Sequence, residues 1–226
     1  MRRIGDFEQW NEGMSRRYNI DTYRERSHWF IRWVENLRDR VIVKYLDPRP
    51  EDHIIDLGCG GGHLLSKIET GRLTGIDLSD FSLALAKSRL GDRVELVKGD
   101  VTALPPGVVG RKFDKIACSE VIEHVLSPEN VIEEILRIAT PASVIVISAP
   151  NERMIDLIKR IFISMRLFPR LFPNIPESNT DEWHLWDFDK ALFERIVKGK
   201  LIIKKTRRIP FSMLAIRYVF VCRVAS

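Results

Sequence analysis

Cysteine is scarce: 226 residues carry only Cys59, Cys118 and Cys222. They are far apart, sit in apolar or glycine-rich surroundings and form no C-x-x-C pair, so neither a disulfide framework nor a zinc site is indicated. A reducing, cytoplasmic setting fits. Long apolar runs are missing too; none reaches the roughly 18 residues that a spanning helix needs. The N-terminal Met1-Arg-Arg-Ile-Gly-Asp-Phe-Glu lacks the apolar stretch of a secretory signal. The expectation is a soluble chain, or one peripheral to a membrane. There is no internal repeat and no low-complexity stretch. At this length one α/β domain with its own core and a small addition is accommodated, whereas a second full domain is not.

Charge of one sign is in modest excess. Lys and Arg number 36 against 31 Asp and Glu, a formal charge of +5. The cations gather at the ends, with Arg2, Arg3, Arg16, Arg17, Arg24 and Arg26 at one and Lys198, Lys200, Lys204, Lys205, Arg207 and Arg208 at the other. Such flanks suit an anionic partner, and they equally suit solvated faces.

What is present is an alternation of period. Residues 23–46 read as one or two amphipathic helices, with Trp29, Phe30, Trp33, Val34, Leu37, Val41, Ile42 and Tyr45 as the apolar stripe, stopped by Pro48 and Pro50. Strands are expected at 53–57, 73–77, 93–98, 113–118 and 143–148. Helices are expected between them at 63–69, 81–90 and 128–139, the last with Glu129 in its first turn, where the helix dipole favours an acid. Strands and helices at this spacing imply right-handed βαβ units and a doubly wound, mostly parallel sheet.

After Pro150 the alternation breaks. Residues 151–168 read as a helix and 169–180 as a proline-containing loop, together an insertion over 151–186 that would cover the sheet edge as a lid. A helix at 187–197 and strands at 201–208 and 214–224 close the chain. The turn through Ile209, Pro210 and Phe211 is too short for a parallel crossover, so these last two of seven strands should pair antiparallel. The organisation expected is a single domain: a helical cap over 1–50, a core over 51–150, the lid, and a C-terminal helix and hairpin.

Three acids stand at three successive strand ends: Asp56 before the glycine turn 58–62, Asp77 in Gly75-Ile-Asp-Leu-Ser79, and Asp100 in Lys98-Gly-Asp-Val-Thr102. All fall on the carboxyl edge of the sheet, where ligands bind in such folds. Dinucleotide-binding proteins also use G-x-G-x-x-G in this place, but the third glycine of that pattern is His63 here. Asp77 can take two ribose hydroxyls, and its plainer reading, a helix N-cap, suits Ser79 or Asp80 better.

Asp56-Leu-Gly-Cys-Gly-Gly-Gly62, with Asp77 and Asp100, resembles the class I S-adenosylmethionine-dependent methyltransferases, in particular the methyltransferase type 11/12 and ubiquinone-pathway O-methyltransferase group. The resemblance implies S-adenosylmethionine (SAM) as cofactor. It implies a binding set of Asp56, Gly58, Cys59, Gly60, Gly62, Asp77, Leu78, Asp100, Val101 and Ser119. In that set Asp56 serves the amino-acid moiety, Leu78 packs on adenine, Asp100 takes the adenine amine and the backbone of Val101 addresses the ring. The resemblance is specific over about residues 50–150.

The segment Ser119-Glu-Val-Ile-Glu-His124 poses a further question. If helical, it puts Glu120, Glu123 and His124 on one face. Such a trio can hold a divalent metal or a general base, or can be structural. It is similar to segments of the ubiquinone-pathway enzymes and of small-RNA 2′-O-methyltransferases, which implies His184 as a further metal ligand. The expectation is His124 as the proton acceptor, oriented by Glu123, with metal binding left open. The acceptor reads as a hydroxyl of a small-molecule or lipid-linked compound. RNA is the second reading, which the pI near 9.2 permits but no RNA-binding module supports. A cofactor-binding protein without catalysis is the third. Trp10, Tyr18, Trp29, Trp183 and Trp186 could line an acceptor pocket, and the apolar, basic-edged segment 151–172 could touch a membrane.

Overall fold

A computed structural model of the chain describes residues 6–18, 28–166 and 183–225. Seven strands form one sheet: β1 (His53–Leu57), β2 (Arg72–Asp77), β3 (Val94–Lys98), β4 (Phe113–Ser119), β5 (Ala139–Pro150), β6 (Leu201–Pro210) and β7 (Ala215–Val224). Their order is β3-β2-β1-β4-β5-β7-β6. The first five are parallel, and β7 runs antiparallel to both β5 and β6. The order reverses between β1 and β4, and the crevice outside their carboxyl ends is where an open α/β sheet takes a ligand.

Among the described residues seven helices accompany the sheet: α1 (Phe7–Arg17), α2 (Trp29–Leu46), α3 (Asp80–Leu90), α4 (Pro106–Val109), α5 (Pro128–Ile138), α6 (Glu152–Ser164) and α7 (Lys190–Val197). Side chains alternate across each strand, so the core divides into two halves. Ile55, Ile145, Ile147 and Phe220 lie in the half filled by α5 and α7. Ile54, Val146 and Val219 lie in the other, beneath α2 and α3.

Several elements differ from expectation. The helix expected at 63–69 is a single 3-10 turn, Leu65–Lys67. Only nine residues lie between Gly62 and the start of β2 at Arg72, and a 3-10 turn, rising about 2.0 Å per residue against about 1.5 Å in an α-helix, covers more distance per residue. No helix runs through Glu120, Glu123 and His124 either. Glu120 sits at φ 55°, a left-handed conformation that cannot continue a helix. Residues 122–124 form a turn, and α5 begins at Pro128, whose fixed φ suits a first helical position.

The stripe expected on the first long helix is rotated. Its buried residues are Val34, Glu35, Arg38, Asp39, Ile42 and Leu46, whereas Trp29 and Trp33 are exposed. The inward side is shared by Val34, Ile42 and Leu46 with an ion cluster of Glu35, Arg38 and Asp39 in the middle of α2. Residues 23–27 of the expected helix lie outside the described residues, as do 167–182, which hold the end of the expected 151–168 helix, the loop and much of the proposed lid. The helix expected at 187–197 starts at Lys190, capped by the Asp189 side chain on the Leu192 N–H. Residues 139–142, expected to end a helix or lie between elements, open β5 instead.

The half of the core under α7 is closed by Phe193 and Phe220, both fully buried and stacked with centroids 3.9 Å apart. Phe220→Ala should leave a cavity there and cost about 3–5 kcal/mol. Urea unfolding measured against the parent chain checks this.

Candidate active site

A cavity of about 250 Å³ opens at the carboxyl edge. The backbone turn after β1 forms its floor. Gly58, Gly60 and Gly62 all have positive φ, at 71°, 51° and 77°, and their surroundings assign them different jobs. A Cβ on Gly58 would strike Val121, and one on Gly62 would come within 2.6 Å of Leu90 Cδ1, so both glycines let neighbouring elements close in. A Cβ on Gly60 would meet nothing within 4 Å. Of the three, Gly60 alone leaves its Cβ position open for the close approach of a ligand.

The strand-end acids surround this floor. Asp56, within β1, is 2% exposed, and its Oδ1 accepts no hydrogen bond from the protein. Burial, with Asp39 and Asp77 nearby, pushes its pKa up to about 8. Asp77 accepts the Gly60 N–H on Oδ2 at 2.8 Å and the Ser79 N–H on Oδ1 at 2.9 Å, which ties the ends of β1 and β2 together. The cap of α3 is Ser79. Asp100 accepts the Thr102 N–H and hydroxyl on Oδ1, both at 2.7 Å. Leu78, Cys59, Val101 and Ser119 also line the cavity. The structure thus gathers every residue of the expected cofactor set except Gly62, which braces the turn from behind.

Apart from Tyr18, further cavity-lining residues were not anticipated. Phe7, Asn11, Ser15 and Tyr18 line one wall from α1, which Glu12 anchors by accepting the Ser79 hydroxyl at 2.6 Å. Arg38 and Asp39 enter from α2. Arg38 pairs with Glu35, with Asp39 at 2.8 Å and with Glu120 at 3.8 Å. Burial alone would lower its pKa, but these carboxylates outweigh that and raise it. Arg217 of β7 holds Glu120 at 2.6 Å. The one sequence signal for this cluster was Glu35, Arg38 and Asp39 at i, i+3, i+4 spacing.

His124 reaches the cavity and Glu123 lies behind it, fully buried. The Trp183 carbonyl lies 3.1 Å from His124 Nδ1. A carbonyl only accepts, so Nδ1 carries the proton and Nε2 is bare. Burial, with His184 adjacent, pushes the His124 pKa down to about 3, whereas burial and Glu120 push Glu123 up. Glu123 Oε1 is 3.8 Å from His124 Nε2, beyond hydrogen-bond range, so the group that orients the ring is the Trp183 carbonyl.

Glu123, His124 and His184 offer ligand atoms within 4.8 Å of one another, a set that could hold a divalent ion. Glu120 is drawn away from them by Arg217 and by the Ser148 hydroxyl at 2.8 Å. Of the aromatic residues considered, Tyr18 and Trp183 line the cavity. Trp186 donates to the Val125 carbonyl at 2.8 Å and packs on the core. Trp10 rests on Phe7, and Trp29 is exposed.

The family model described as "Methyltransferase domain" matches residues 48–197. The chain belongs to that family. A ubiquinone biosynthesis O-methyltransferase of Nitrosomonas europaea is 34% identical over 147 residues, 61% of this chain and 61% of that protein. Another, of Dechloromonas aromatica, is 38% identical over 104 residues, 43% of this chain and 44% of its own length. The chain thus spans about half the length of these curated relatives. Among solved structures, the magnesium protoporphyrin IX methyltransferase of Synechocystis with bound SAM has a TM-score of 0.68 at 14% identity, covering 100% of both chains. The methyltransferase domain of bacterial CtHen1 has a TM-score of 0.59 at 20% identity, covering 85% of this chain and 100% of that one. At these identities the structural likeness speaks for the fold, a Rossmann-like methyltransferase fold.

Removing the Arg38 charge would leave buried carboxylates facing one another. Arg38→Leu should cost about 3–5 kcal/mol in denaturant unfolding, and adding Glu120→Gln should restore part of the loss.

Proposed function

We propose that the chain is a SAM-dependent methyltransferase acting on a hydroxyl of a small-molecule acceptor. The observation that carries this reading is the charge of the cavity. Asp39, Asp56, Asp77, Asp100 and Glu120 line it, with Arg38 the one Lys or Arg among the lining residues and Lys67 and Arg217 pairing with Asp39 and Glu120 from behind. A diphosphate would be repelled there, and the 3-10 turn that follows the glycines offers no helix of the kind that binds one. A ligand with a cationic centre fits.

SAM supplies a methyl group on a sulfonium that is already a good leaving group. The protein's part is to position the acceptor and receive its proton. Asp77 would hold the ribose hydroxyls with its remaining lone pairs, Leu78 would pack on adenine, and Asp100 with the Val101 N–H would address the base edge. Asp56 would face the amino-acid end. Gly58, Cys59, Gly60 and Ser119 would form the walls and Gly62 would keep the turn in place. His124 Nε2 would take the hydroxyl proton, with Glu123 behind it as a buried carboxyl. The hydroxyl reading is supported by the names of the curated relatives. The lid role of the 151–186 segment rests on Trp183, which lines the cavity with its ring 5.7 Å from that of Tyr18.

A second reading is favoured by the Glu123, His124 and His184 cluster: a divalent ion held there would grip the acceptor oxygen, and an RNA ribose hydroxyl would then become an acceptor of the same chemistry. Turnover that survives a strong chelator and gains nothing from added magnesium or manganese would remove it.

The cofactor reading has a pH signature. Below about pH 8 Asp56 is protonated in the empty site, and a cationic ligand favours its ionised form. Binding should therefore release a proton, and SAM affinity should rise with pH by up to about tenfold per unit between pH 6 and 8. Calorimetry across that range checks it, with Asp56→Asn expected to flatten the slope. Absence of SAM binding at every pH would end the proposal. His124→Ala should lower kcat by about 10²–10⁴-fold while leaving the SAM Kd unchanged.

A further inference from the structure

The last hairpin leaves an apolar surface that the site does not use. β6 and β7 meet in a tip at residues 211–214, where Phe211, Met213 and Leu214 are 56%, 88% and 52% exposed. The first turns of α2 stand beside it. The Trp33 ring lies 5.9 Å from that of Phe211, and Trp29, one turn earlier, is 63% exposed. Large apolar side chains scattered singly are ordinary on a surface, but a group of them at one end of a molecule marks a contact.

The rim of this group is cationic. Arg32 lies between the two tryptophans in sequence and is exposed, as are Arg207 and Arg208 leading into the tip. Beyond Glu194 the chain has nine Lys and Arg and no Asp or Glu. β6, the outermost strand, exposes four of those cations. Glu35 and Asp39 of α2 are buried and paired with Arg38, so they do not offset the rim.

Its position matters as much as its composition. Pro150, the last residue of β5, pairs with Arg217 of β7, so the tip projects past the carboxyl edge, the edge at which the cavity opens. Arg217 itself holds Glu120 in the cavity wall.

We propose that the β6–β7 tip, with Trp29 and Trp33, inserts into the interface of an anionic phospholipid bilayer, the cations of β6 engaging the headgroups. Tryptophan favours the headgroup level, and basic residues are drawn to an anionic membrane surface. The cavity edge then faces the membrane. A nucleic acid would use the cations but leave Phe211, Met213 and Leu214 in water. A second copy would cover the apolar side chains but bring a matching set of cations against the first. The surface does not depend on the proposed activity, and its test is separate.

The full chain is sedimented with vesicles of phosphatidylcholine alone and of phosphatidylcholine mixed with phosphatidylglycerol. Binding is expected only with the mixed vesicles. The combined Phe211→Ser, Met213→Ser and Leu214→Ser variant should bind at least about tenfold more weakly, since each residue withdraws apolar area from water. Arg207→Glu with Arg208→Glu should weaken binding and reduce its salt dependence. An unchanged circular dichroism spectrum and Tm confirm folding. Met213→Ser alone, at the most exposed position, should lower affinity in the same direction by a smaller factor. The proposal is overturned by no sedimentation with the mixed vesicles. It is equally overturned by undiminished binding of the serine variants, or by a concentration-dependent dimer that those variants abolish in a chain that ignores vesicles.

Discussion

Too many carboxylates converge on one end of the sheet, and Arg38 is what makes that tolerable. Glu35, Asp39, Asp56, Asp77 and Glu120 all sit at the carboxyl edge, three of them buried outright. In a medium of reduced polarity, unneutralised neighbours of one sign repel strongly. Two arginines answer them from elements at either end of the chain, and Lys67 pairs with Asp39 at 2.6 Å. Arg38 comes in on α2, ahead of residues 48–197, and Arg217 on β7, after them. The edge that binds ligand in this fold is therefore completed electrostatically in large part by residues that lie outside the segment matching the family.

That arrangement shapes the segment after β4. Glu120 is shared between Arg38 and Arg217, its N–H donates to the Ser148 carbonyl at 3.2 Å, and its backbone is left-handed. Once Glu120 is held this way the chain cannot proceed as a helix, and the turn that follows places Val121 over Gly58 and delivers His124 to the cavity. Leu185 N–H then donates to the Glu123 carbonyl at 2.9 Å, fixing the 183–188 stretch against the turn. His124 thus owes its tautomer and place to a sequence of contacts that begins with the charge on Glu120.

Legibility in the sequence follows from range. The seven strands, the doubly wound order, the antiparallel hairpin and the acids ending β1 and β2 and following β3 depend on period, turn chemistry and neighbours a few residues apart, and these were readable. Glu35, Arg38 and Asp39 were not, because an ion triplet at helical spacing looks like a solvated face until partners from other elements arrive. The same gap misassigned α2: apolar periodicity put Trp29 and Trp33 inward, whereas the ion cluster claimed that side. Glu120, Glu123 and His124 looked like one helical face for a related reason, since nothing local announces that Arg217, almost a hundred residues on, will take Glu120. Of the wall at α1 only Tyr18 was foreseen, because the contacts that seat the helix, Glu12 with Ser79 and Glu8 with Lys98, join residues distant in sequence.

The rotation of α2 links the two ends of this account. A helix has one buried side, and an inward-facing Arg38 with its carboxylates occupies the stretch where Trp29 and Trp33 would otherwise have packed. Those tryptophans are accordingly displaced outward, next to the hairpin tip whose strand carries Arg217. Neutralising the carboxylates of the cavity therefore has a structural consequence outside it: the same two elements that bring in the arginines present aromatic and aliphatic side chains to solvent beside the carboxyl edge. An apolar surface in that position follows from the demands of the site rather than from a poorly packed terminus. Val34, Ile42 and Leu46 lie buried on the same inward face, so apolar packing and the ion cluster together hold the helix orientation that leaves the tryptophans outside.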